Sequence, residues 1–191
     1  MPSYSRNSRK PMQVLRLIIA GAVQGGALLA GSAAQAADQP NKFVMTAFES
    51  AAGGDSLVRG QYADALAITK RSPARGDAMV KTNECVAYTM TGQFAAAQAV
   101  CDSAVASAKQ DLRQAHAPVW QLAQLQDTLA VAYSNRAVLH WLSHNNGAAE
   151  HDLSDASTLS PKADFVARNE SALHSPTHEH TVAQVVTTPG Q

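Results

Sequence analysis

A chain of 191 residues holds one ordinary domain with a real core, and 5% aromatic content beside abundant alanine suits close helix packing better than a sheet. Fifteen basic and fifteen acidic residues cancel, but unevenly: Arg6, Arg9, Lys10 and Arg16 fall within the first 37 residues, where no acid occurs. The rest carries 11 basic and 15 acidic residues, a net of −4 without a basic run, which argues against nucleic acid as a partner.

Near its start the chain carries "SRNSRK", a basic region, then "LRLIIAGAVQGGALLA", an apolar stretch, then "AQA" at Ala34–Ala36, a small-x-small cleavage site. This pattern predicts a signal peptide over 1–36 and a mature start at "ADQPNKF", with 37–45 as a lead. Gln24 and the flanking glycines and alanines leave the stretch too weakly apolar to span comfortably, and no cysteine follows it for lipid attachment. Arg9-Lys10 lacks the full twin-arginine pattern, so general secretion is expected. The mature chain is expected to be periplasmic or secreted, without stable membrane insertion, where disulfides persist.

Three segments share a helix–turn–helix plan: Gly60–Pro73, Ala87–Val105 and Ala132–Pro161. Each places a small residue, Ala65, Ala97 or Ala149, early in its second helix, and the first two share Gly-Gln-aromatic ahead of it. Hairpins are predicted near 46–73, 78–117 and 119–161. In the first, "ESAAGGDSLVR" puts two glycines inside the expected helix, with Asp55 or Ser56 as its cap. The alanine spacing is 32 and then 52, which marks "KQDLRQAHAPVWQLAQLQ" as extra turns on two helices meeting near Pro118. Leu122, Leu125, Leu129, Tyr133, Ala137 and Trp141 form the apolar stripe of a long helix. In the third turn His144, Asn145 and Asn146 stand ahead of a displaced Gly147, and asparagine is expected to supply the left-handed residue. "KADFVARNESALH" predicts a capping helix over 162–174. Residues 175–191, with two prolines and no helical period, read as a disordered tail.

The segments resemble tetratricopeptide repeats over residues 46–161. Cys85, Tyr88, Gly92, Phe94, Ala97, Cys101 and Ala104 land where that family uses small or aromatic residues. The resemblance implies an all-α fold, a short right-handed superhelix of about three hairpins whose first helices line a concave groove. It also implies that Asn83 and Asn135 contact the backbone of a bound peptide, with Arg168-Asn169 extending the row if a further helix forms. Met79, Val86, Thr89, Met90, Val138 and Trp141 would share that face, while Tyr88, Ala97, Ala104, Ala137 and Ala149 face the packed interior. A carboxamide donates to a peptide carbonyl and accepts from its N–H at once, so it holds an extended chain without reading side chains. Asn83→Ala is then expected to spare stability and weaken binding. The alternative is that both asparagines only stitch helices together.

The expected function is an exported interaction module, an adaptor or assembly factor that binds a protein or extended peptide, without cofactor or metal. No Gly-x-Ser-x-Gly elbow, His-Glu-x-x-His helix or phosphate-cradling glycine loop occurs. Two alternatives are a periplasmic cell-envelope hydrolase without a recognised motif, and a metal-handling protein using His174, His178 and His180. The only two cysteines, Cys85 and Cys101, lie seven residues before Gly92 and nine after it, at similar heights above one turn. With export, that placement predicts a disulfide within one helical hairpin; buried free thiols are the alternative.

Overall fold

The computed structural model describes residues 42–175 and 184–188. In chain order they form β1 (Val44–Ala47), α1 (Gly54–Val58), α2 (Tyr62–Arg71), α3 (Ala78–Met90), α4 (Phe94–Gln114), α5 (Val119–Leu142), α6 (Asn146–Leu159), α7 (Asp164–Leu173) and β2 (Gln184–Thr187). The predicted leader lies outside the described residues. No helix among the described residues is long and apolar enough to cross a membrane.

Three of the turns repeat one geometry. Gly60, Gly92 and His144 each take a positive φ, of 73°, 72° and 61°. The following amide reaches back five residues: Gln61 N–H to the Ser56 carbonyl at 2.8 Å, Gln93 to Tyr88 at 3.0 Å, Asn145 to His140 at 2.8 Å. The turn residue's own N–H bonds three back, to Leu57, Thr89 and Trp141. This paired closure satisfies carbonyls that the ending helix leaves without partners. Ala65, Ala97 and Ala149 then each make an early bond of the next helix, back to residues 61, 93 and 145. The expectation for the third turn is corrected in one respect: the left-handed residue is His144, and Asn145 and Asn146 follow it into α6.

Sequence neighbours pack together from α1 through α7, and α3 and α7 also both touch α5. Ala97, Ala137 and Ala149 are fully buried and Ala104 nearly so, whereas Tyr88 is half-buried at the edge of the main core. Small side chains let the helices approach closely. At one such contact Cys85 and Cys101 are joined as a disulfide, their Cα atoms 4.9 Å apart, within the range a bridge requires. The insertion lengthens α4 to 21 residues and α5 to 24, against 13 for α3 and 14 for α6. Its tip leaves Val119 and Trp120 exposed.

Two expectations need correction. The first hairpin does not begin at 46: residues 44–47 are extended, and α1 is a single turn that starts at Gly54. Neither Asp55 nor Ser56 caps it, because the cap position falls on Gly53, at a φ of 82°. The reason is a close crossing. A Cβ on Gly54 would stand 2.1 Å from the Phe48 carbonyl oxygen and 2.6 Å from the Glu49 Cα, so the chain leaving β1 passes where only glycine fits. The tail read as disordered over 175–191 contains β2, which pairs in parallel with β1 in the register Val44↔Gln184 to Ala47↔Thr187. Among the described residues the fold is thus mainly helical with one two-stranded sheet, and the stretch 162–174 holds α7.

Candidate functional site

Residues 43–48, "FVMTAF", lie against α3, α5 and α7, and none is more than 6% exposed. A strand alternates its backbone groups, so residues 44, 46 and 48 present N–H and C=O to one edge and residues 43, 45 and 47 to the other. Three asparagines take the first edge. The Asn169 Oδ1 accepts from Val44 N–H at 2.7 Å while its Nδ2 donates to the Val44 carbonyl at 2.9 Å. Asn135 does the same to Thr46 at 2.8 Å in both directions. Asn83 does the same to Phe48 at 2.9 Å and also reaches the Ala52 carbonyl at 3.2 Å. The strand therefore runs against the helix order, from α7 across α5 to α3.

Each asparagine is fully buried, and each is held in place by its helix. Asp77 caps α3, its Oδ1 accepting from Met79 N–H at 2.8 Å, which sets the start of the helix that carries Asn83. On α5 the residue after Asn135 is Arg136, turned about 100° round the helix. Its guanidinium grips Asp152 on α6 with two bonds of 2.7 and 2.8 Å and reaches Asp102 on α4 at 2.9 Å. Asp152, then Asp102, hold Arg136 even more firmly protonated than usual, against the opposing effect of burial. This clamp fixes the rotation of α5 and so aims Asn135 at the strand. Asn169 is braced by Nδ2 donation to the Ser134 hydroxyl at 2.8 Å.

Of the apolar residues expected on this face, Val86, Val138 and Trp141 are buried in one cluster with Phe43, Met45 and Ala47, and Met90 packs half-buried against it. The Trp141 and Phe43 rings lie 5.2 Å apart, centroid to centroid. Met79 is half-buried in the first turn of α3 and belongs to neither core cluster. Thr89 turns its hydroxyl back to the Cys85 carbonyl at 2.8 Å. Asn83 and Asn135 thus hold a segment of their own chain. Asn83→Ala would strand the buried Phe48 amide and carbonyl, so the expectation that it spares stability is corrected.

The other edge of β1 faces β2: the Gln184 and Thr188 amides donate to the Phe43 and Ala47 carbonyls at 3.1 and 3.4 Å. Beside β2 a cavity of about 700 Å3 opens between α5, the α6–α7 turn and Val186–Thr188. In it the Ser160 hydroxyl donates to Asp127, and among the described residues no histidine lines the cavity to make a nucleophile–base pair. Among the described residues no group of three His, Cys, Asp or Glu is arranged to hold a metal. His174 caps the end of α7, and His178 and His180 lie outside the described residues.

Sequence reasoning missed β1, while Asn169 joins the row on α7 as the condition of a further helix required. A signal for the row was present: Asn169 follows Asn135 by 34 residues, one repeat period, and Asn135 follows Asn83 by 52, the spacing already set by the alanines. No protein-family model, curated protein or solved structure matches the chain.

Proposed function

We propose that this chain is an exported interaction module of tetratricopeptide-repeat type, a short superhelix that holds extended polypeptide on its concave face and carries out no catalytic step. The observation that carries the reading is the row of three buried asparagines, each closing two hydrogen bonds on alternate residues of one strand. That chemistry recognises backbone and is indifferent to side chains. The thrice-repeated turn and the 34-residue interval between Asn135 and Asn169 support the repeat assignment. The disulfide supports an oxidising compartment, as does the leader-like first 36 residues. In this reading the chain's own residues 43–48 form the floor of the groove, and a partner meets the composite of helices and strand.

Crosslinked capture of the mature protein in its native envelope tests the reading. It predicts a protein partner joined through residues near β1 or β2, and an exported form that begins Ala-Asp-Gln-Pro. Turnover of an envelope substrate by the purified protein, with no protein captured, contradicts it.

A further inference from the structure

We infer that the edge of β1 facing away from the asparagines is the ligand seat of this module, and that β2 occupies it as a displaceable internal ligand. The inference rests on the interaction-module reading and names its seat and its class of ligand. The two strands are held very differently. Residues 43–48 are buried on all sides, whereas Gln184 is exposed and residues 185–188 are only half-buried. Three carboxamides and a core cluster hold β1, while β2 is tied to β1 by backbone bonds and lies beside the single turn of α1. Among the described residues no side chain of β2 makes a hydrogen bond or ion pair, and only Val185 packs against the core cluster.

A seat that reads backbone direction and one apolar side chain accepts other chains of the same kind. The ligand is therefore an extended, uncharged segment of a partner protein, parallel to β1, with a β-branched residue in the place of Val185. Its downstream residues would enter the cavity of about 700 Å3 that Val186, Thr187 and Thr188 now border, beside Val131, Leu159 and Phe165. The resident strand is the evidence for this chemistry, because it is a segment of that description seated in that register.

Val186→Pro in the full mature chain tests the seat. By alternation with Gln184 and Thr188, the Val186 amide points at β1, and proline removes that donor. The probe is a labelled synthetic peptide of sequence TVAQVVTT, with a control carrying proline in place of the second of its adjacent valines. If β2 fills the seat more than nine-tenths of the time, the variant binds the probe about tenfold tighter than the unmodified chain, and neither binds the control. A folded variant that gains no affinity overturns the inference. Should the variant not fold, the unmodified chain decides. Excess probe is expected to move the amide signals of Val186 and Thr188 to those of a free segment, and signals unmoved at saturation overturn the seat. Envelope capture separates the two claims. Probe binding without any captured partner leaves the seat and removes the module reading. A partner captured equally by both chains, with no probe binding, does the reverse.

Discussion

Asparagine suits its place in the row because its carboxamide offers one acceptor and one donor about as far apart as the N–H and C=O of a single strand residue. Serine has one polar atom, and glutamine adds a methylene that Cα positions set for asparagine cannot absorb. Replacing Asn135 by alanine leaves the Thr46 amide and carbonyl buried without partners, and is expected to cost about 2–4 kcal/mol by chemical denaturation. The Thr46 hydroxyl is also buried and, among the described residues, has no hydrogen-bond partner. Thr46→Val removes an unsatisfied oxygen at nearly constant shape, so it should stabilise by about 1 kcal/mol, and a loss of stability would show that this hydroxyl is bonded. At Arg136 the sign reverses. Arg136→Met leaves Asp152, whose side chain is 3% exposed, without its two-bonded partner, and about 3–5 kcal/mol should be lost in the same measurement.

At the scale of elements, the glycines sort by what surrounds them. Gly92 has open space where a Cβ would go, so Gly92→Ala meets only the left-handed backbone and should cost about 1 kcal/mol. Gly54→Ala collides with the backbone of Phe48 and Glu49, and should both destabilise more and expose the Phe48 amide that Asn83 holds. Equal melting temperatures for the two variants would contradict the crossing. These contacts also explain what the sequence made legible. Gly-Gln-aromatic announced two turns because glycine is the ordinary residue for a positive φ, and in the third turn the left-handed residue was misplaced because the identity of His144 carries no such signal. "FVMTAF" has no period: a short strand buried on both faces and a buried helical segment look alike in sequence, and two glycines beyond it read as damage to a helix rather than as a crossing point. The segment that becomes β2 could not be read at all, since its extended form depends on pairing with β1. Asn83 and Asn135 were singled out by the resemblance to tetratricopeptide repeats, but the identity of what they hold was not, because an asparagine offers the same bonds to any backbone.

Over the molecule, local and distant links divide the work. The disulfide joins α3 to α4 across 16 residues, while the Asn169 bond to Val44 spans 125. Reduction of Cys85–Cys101 should therefore lower stability by about 3 kcal/mol while leaving β1 in place. The strand is the common tie among α3, α5 and α7, three helices that the chain places far apart. Residue-resolved hydrogen exchange of the mature protein tests that tie most directly. The amides of Val44, Thr46 and Phe48 are predicted to exchange as slowly as the interior amides of α3 and α5, only through global unfolding. Exchange of those three at the rate of the exposed turn at Glu49 and Ser50, with α3 and α5 still protected, would contradict the account that the asparagine row holds the chain's own strand.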